Sequence, residues 1–178
     1  MLLTINNLLS NLSLMKGQTA RISGVGSRYK IEPKKSRMSV GNILGGRETF
    51  KKETPGTPLE WDMIVQSGMP VRAASYFGKV AGLNNNELTR SLHLSSKTFR
   101  RRQKAGRLNE IESSNLYEHA KIFNMAIQTL GSSDKAQRWL KSSLKALGGK
   151  TPLELMNTAP GADEVQACLN RIEYGGYS

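Results

Sequence analysis

An all-α fold is what this sequence predicts, and three observations predict it. From Trp61 onward apolar residues recur at intervals of three and four. Glycines stand where those runs stop, and no segment after residue 60 alternates as a strand would. The first 58 residues have a different character. Gly24, Gly26, Pro33, Gly41, Gly45, Gly46, Pro55, Gly56 and Pro58 interrupt every helical period, and Arg28, Lys30, Lys34, Lys35, Arg37, Arg47, Lys51 and Lys52 lie scattered between them. This pattern predicts a basic, poorly structured extension over 1–58, readable as a solvated arm or as one that touches phosphates.

The helices then follow in order. A short one is expected over Leu59–Gln66. The next starts at Pro70, a residue suited to a first turn, and carries Val71, Ala74, Phe77 and Val80 before Gly82. Asn85–Leu92 is a third helix, His93–Ser95 a turn, and Ser96–Ala105 a fourth that stops at Gly106. Glu110–Leu130 is long, with Leu116, Ala120, Phe123, Ile127 and Leu130 on one face, and Gly131 ends it. Ser133 can cap a helix whose Ala136, Trp139, Leu140, Leu144 and Leu147 share a face up to Gly148-Gly149. Thr151 caps a short helix opening at Pro152. The last helix runs from about Ala162 to Glu173, with Val165, Cys168, Leu169 and Ile172 as a narrow stripe. The apolar faces of the long helix and of the Trp139 helix look too large for the C-terminal part to bury alone, which points to dimerisation.

Charge narrows the partners. The chain has 178 residues and a net charge of +12, and an excess of that size favours a polyanion such as nucleic acid. Residues 1–59 hold +7 of it, 60–130 hold +4 and 131–178 only +1, so the C-terminal part suits contact with protein. Cys168 is the sole cysteine, which excludes an intramolecular disulfide and the usual metal-ligand spacings and fits a cytoplasmic setting. Asn6, Asn7, Ser10 and Asn11 interrupt the apolar N-terminus, so no signal peptide is expected, and no apolar run reaches membrane-span length.

Enzymatic and cofactor motifs fail on inspection. Gly149-Lys150-Thr151 imitates the end of a phosphate-binding loop, but the glycine required five positions earlier is Leu144. His93 and His119 lack catalytic partners, and His119 reads as a hydrogen-bonded core residue. Cys168 reads as buried filler, and Asp163 and Glu164 as first-turn carboxylates matched to the helix dipole. We therefore expect neither enzymatic activity nor a cofactor.

Glu87–Lys104 has the layout of a helix-turn-helix, a short helix, a three-residue turn and a second helix crowded with cations. At about 100° per residue, Phe99 and Gln103 point to one side of that second helix, and Lys97, Arg100, Arg101 and Lys104 to the other. Thr98 and Arg102 fall on the flank between. Ser95 and Ser96 stand at its N-terminus, where hydroxyls and free N–H groups can hold a phosphate. The candidate DNA-binding residues are thus Ser95, Ser96, Lys97, Thr98, Arg100, Arg101 and Lys104. Nothing in the spacing separates base reading from phosphate neutralisation.

The segment from Gly82 to Arg102 resembles the Xre-like part of the Xre/ParS/MbcA antitoxins. Leu147-Gly-Gly-Lys-Thr-Pro-Leu-Glu-Leu and Leu169-Asn-Arg-Ile-Glu-Tyr-Gly resemble that family's toxin-binding C-terminal domain. The resemblance spans most of 60–178 and does not reach the N-terminal extension. It implies an Xre-like helix-turn-helix domain over 59–130 and a toxin-binding domain over 131–178. It also implies an adjacent toxin, commonly a RES-domain protein acting on NAD, whose active-site entrance the C-terminal region covers. Autorepression through operator DNA, as a homodimer or larger toxin–antitoxin complex, follows from the same likeness. Carried onto this chain, the toxin-binding residues are Arg171, Ile172, Glu173, Tyr174, Gly175, Gly176 and Tyr177. By residue type alone, Arg171 is a solvated cation favoured near a helix C-terminus and Ile172 a core residue. The competing reading is a stand-alone helix-turn-helix regulator whose C-terminal helices only dimerise. A basic RNA-binding protein fits less well, because no aromatic stacking platform is present.

Overall fold

A computed structural model describes residues 38–51 and 54–175. Its first helices are α1 (Val40–Ile43) and α2 (Gly46–Phe50), and they correct the N-terminal expectation in part. The Ser39 hydroxyl caps α1, Ile43 and Leu44 are fully buried, and Thr49 is buried too. Of the glycines read as helix breakers, Gly41 lies buried within α1, Gly46 opens α2 and Gly45 makes the turn between them. Gly45 sits at φ +92°, and a Cβ there would strike the Tyr76 ring and the Thr49 hydroxyl. Residues 38–50 therefore belong to the helical body; 1–37 lie outside the described residues.

The helix-turn-helix region follows as α3 (Pro58–Gln66), α4 (Val71–Val80), α5 (Asn85–Ser91) and α6 (Ser96–Ala105). Each start has a local cause. Thr57 and Glu60 form a reciprocal capping box on α3, as Asn84 and Glu87 do on α5. The long helix α7 (Glu110–Leu130) has the predicted bounds. Asn109 and Glu112 cap one end and Gly131, left-handed at φ +84°, closes the other.

The helix α8 (Ser133–Lys141) is shorter than its apolar period implied. Two serines end it: Ser142 Oγ donates to the Arg138 carbonyl at 2.7 Å, and Ser143 Oγ donates to the Gly149 carbonyl. Such side-chain bonds compete with continued helix. The chain turns at extended Leu144 into a 3-10 turn (Lys145–Leu147) that still buries Leu147. Then come α9 (Pro152–Leu155) and α10 (Ala159–Glu173), the latter capped by Thr158 and beginning earlier than the apolar stripe showed.

The spar is α7, against which α1, α3, α5, α8 and α10 all pack. One continuous core surrounds it. Phe77 meets Phe123 edge-on at 6.1 Å, and Trp61 lies between Phe50 at 5.5 Å and Tyr117 at 5.1 Å. Leu116, Phe123, Ala136 and Leu140 are all fully buried within the chain. The apolar faces that pointed to dimerisation are covered within the chain itself and call for no second copy. Among the described residues the only strand-like pairing is an isolated bridge between Pro70 and Arg107. No described helix is long and apolar enough to cross a membrane.

Candidate functional site

The turn between α5 and α6 is a Schellman closure: Leu94 N–H donates to the Thr89 carbonyl at 2.8 Å and His93 N–H to the Arg90 carbonyl at 3.0 Å. His93 takes the left-handed position, φ +54°, that glycine usually fills. This turn aims α6 outward. Phe99 is the one buried residue of α6, and it anchors the helix beside buried Leu88 and Leu92.

Lys97, Arg100, Arg101 and Lys104 are exposed, and among the described residues no carboxylate pairs with them. Gln103, expected beside Phe99 on the buried side, is exposed as well, because the last turn of α6 projects beyond the core. Ser95 and Ser96 are exposed and Thr98 is half-buried. Ser95 Oγ accepts from Thr98 N–H at 3.1 Å and shares a hydrogen bond with Thr98 Oγ1 at 2.9 Å. These two hydroxyls build the helix cap.

Arg102 turns inward from the flank. Its Nε lies 2.8 Å from a Glu112 carboxylate oxygen, and Glu112 is 5% exposed. The same carboxylate accepts from Asn109 N–H at 2.9 Å, so one buried acid caps α7 and pins α6 to it.

Beside the C-terminal turn of α7, α10 presents the C-terminal residues. Thr129 Oγ1 donates to Glu173 at 3.4 Å, fixing the end of α10 against α7. Arg171 Nη2 lies 2.5 Å from Glu164, and its Nε donates to the Ala167 carbonyl at 3.3 Å. Ile172 is half-buried against the core. Tyr174 is 81% exposed, and Gly175 follows in a left-handed conformation at φ +70°. Gly176 and Tyr177 lie outside the described residues.

His119 and Cys168 are buried as expected. The His119 Nδ1 lies 2.6 Å from the Asn115 carbonyl, and burial pushes its pKa below the ordinary histidine value. Burial likewise raises the Cys168 thiol. Among the described residues no cluster of His, Cys, Asp and Glu has the geometry to hold a metal ion.

Comparison with known proteins decides the family. Residues 60–117 match the antitoxin Xre-like helix-turn-helix domain, and residues 125–175 match the antitoxin Xre/MbcA/ParS C-terminal toxin-binding domain. The chain is 30% identical over 100 residues to Antitoxin Xre of Yersinia enterocolitica, covering 55% of this chain and 68% of that protein. This chain belongs to the Xre antitoxin family. Antitoxin Xre of Photorhabdus laumondii is 25% identical over 114 residues, 63% of this chain and 77% of that protein. Antitoxin Xre of Pseudomonas putida is 34% identical over 64 residues, 36% and 40% of the two. Xre proteins are antitoxins rather than enzymes, and this one carries both a DNA-binding and a toxin-binding domain.

Sequence reasoning missed how the two Xre domains are joined. Gln137 Nε2 donates to the Val80 carbonyl at 2.8 Å, and Lys141 Nζ donates to the Gly82 carbonyl at 2.6 Å. Lys141 also pairs with Glu87 at 2.8 Å. Burial raises the Glu87 carboxyl, but the Lys141 ammonium and the Asn84 N–H outweigh it and hold the group below the usual range. The available signal was Glu87 itself, third in a capping box and thus fixed at the start of α5.

Proposed function

We propose that this Xre antitoxin neutralises a RES-type, NAD-consuming toxin by seating the end of α10 at the toxin's active-site entrance, and that with its toxin it represses their shared operon from the cytoplasm. The observation that carries the toxin half is Tyr174. Its ring is 81% exposed at the end of an anchored helix inside the matched toxin-binding region, where an aromatic side chain is placed to enter a partner's pocket. The toxin contact is assigned to Arg171, Ile172, Glu173 and Gly175 beside Tyr174, and to Gly176 and Tyr177, which lie outside the described residues. Arg171 suits a carboxylate of the kind that holds a dinucleotide's ribose hydroxyls.

For the operator half, Lys97, Arg100, Arg101 and Lys104 face the duplex. The first-turn N–H groups of α6, set by Ser95, Ser96 and Thr98, take a backbone phosphate. A repressor of this type engages two half-sites as a homodimer or within a toxin–antitoxin complex.

The test is growth rescue and operator binding measured on the same variants. Tyr174→Ala, and a chain ending at Glu173, are expected to lose rescue of cells expressing the neighbouring toxin while retaining operator binding. Full rescue by the shortened chain would overturn this toxin contact. Arg100→Glu with Arg101→Glu is expected to abolish operator binding while leaving rescue intact.

A further inference from the structure

We propose that the DNA-binding surface extends beyond α6 into a basic cleft formed by Lys51, Arg72 and Arg107, which takes a backbone phosphate of the bound duplex. The proposal rests on the operator reading of α6. The cleft measures about 510 Å³ and opens between α2, the start of α4 and the α6–α7 connection. Among the described residues three cations line it and no carboxylate does, and none of the three is in an ion pair.

Both guanidinium groups are held before any ligand arrives. Arg72 Nη1 donates to the Glu48 carbonyl at 3.0 Å, and Arg107 Nη2 donates to the Gly68 carbonyl at 2.6 Å and to Ser67 Oγ at 3.3 Å. Each arginine has five N–H donors, so this tethering fixes the fork and leaves further donors for an oxyanion. A cation fixed in this way loses little rotamer freedom when a phosphate binds.

Position identifies the polyanion. Gly106 closes α6 and also lines the cleft; its carbonyl accepts from Val71 N–H at 3.0 Å, and Arg107 bridges to Pro70. The cleft therefore continues the cationic row of α6 past Lys104. A recognition helix lies in the major groove with its N-terminal residues at the base edges, which leaves its C-terminal end, and the cleft beyond it, toward the flanking phosphates. Lys51 lies outside both matched family regions, so this part of the surface is a feature of the chain's own N-terminal helices.

The test uses the full chain and fluorescence anisotropy with two duplexes, a 30-base-pair mixed sequence and the DNA upstream of its own gene, over a range of KCl. Lys51→Gln with Arg72→Gln is expected to flatten the log–log salt slope by about 0.9 on both duplexes, the amount for one phosphate that is no longer neutralised. Arg72→Lys keeps the charge and should keep the wild-type slope, which separates electrostatics from damage to the fold. An unchanged slope in the double variant, alongside abolished binding in Arg100→Glu/Arg101→Glu, overturns the cleft and leaves the operator reading standing. Normal binding in both sets overturns the operator reading itself. An unchanged slope with weakened capture of the co-expressed toxin also overturns the proposal, by making the cleft a protein-binding surface.

Discussion

Arg102 and Arg101 are neighbours with opposite duties, and only the fold separates them. Arg101 is solvent-facing, whereas Arg102 commits its charge to a nearly buried Glu112 that also caps α7. Removing the Arg102 guanidinium strands that carboxylate, so Arg102→Met should cost about 1.5–3 kcal/mol in urea unfolding. The same change at Arg101 should cost almost nothing in stability and act on DNA affinity alone. His119 supplies a pH dependence whose sign is fixed by burial. Its folded pKa lies below the ordinary 6.5, chiefly through desolvation, with the Asn115 carbonyl opposing. Below about 6.5 the unfolded chain binds a proton that the folded chain refuses. Stability from this residue is therefore full above that pH and declines as pH falls, by at most about 1.4 kcal/mol per unit. His119→Gln should remove the loss between pH 7 and pH 5.5. The capping carboxylates Glu60, Glu87 and Glu154, all held below their ordinary value of 4.5, lose their contribution only at lower pH.

Elements were legible where period and punctuation agreed. The apolar face of α7 and its closing Gly131 marked the helix in the sequence, and the Asn109–Glu112 capping box of the structure sets its start where it was read. The end of α8 was not legible, since Leu144 and Leu147 keep the helical period while Ser142 and Ser143 break the helix through bonds that only the folded loop supplies. The helices α1 and α2 were hidden for a related reason: glycines at 41, 45 and 46 look like breakers until tertiary packing assigns them to turns and close approaches. Of the candidate sites, the outward row on α6 was visible from helical geometry, whereas the basic cleft was not, because it joins residues from three separate segments. Two substitutions test the element boundaries. At His93 the left-handed backbone strains any residue with a Cβ, so His93→Gly should raise stability by about 0.5–1 kcal/mol after glycine's extra unfolded freedom is subtracted. Gly161 is the reverse case: a Cβ there collides with the Leu155 carbonyl oxygen where α9 meets α10. Gly161→Ala should lower the thermal midpoint, at a cost of about 1–3 kcal/mol.

At the scale of the whole molecule, the question is whether the DNA-binding and toxin-binding regions are two folding units or one. The matched regions divide near residue 120, yet α7 runs through that division and carries helices of both on its sides. The core passes from Phe77 to Phe123 and on to Leu140 and Leu169 without a break. The polar strap of Gln137 and Lys141 adds bonds to the carbonyls of Val80 and Gly82 at the entrance to the helix-turn-helix. A chain cut after Leu130 would leave the apolar flank of α7 in water and the Glu87 carboxylate without its lysine. Burial on the order of 25 cal/mol per Å² is then forfeited along a six-turn helix. We therefore expect the intact protein to melt in a single transition with equal calorimetric and van't Hoff enthalpies, and the 1–130 fragment to lose cooperative melting altogether. Two resolved transitions, or a fragment that melts as sharply as the parent, would make α7 a linker between independent domains. In that event a toxin seated on α10 would leave the pose of α6 untouched.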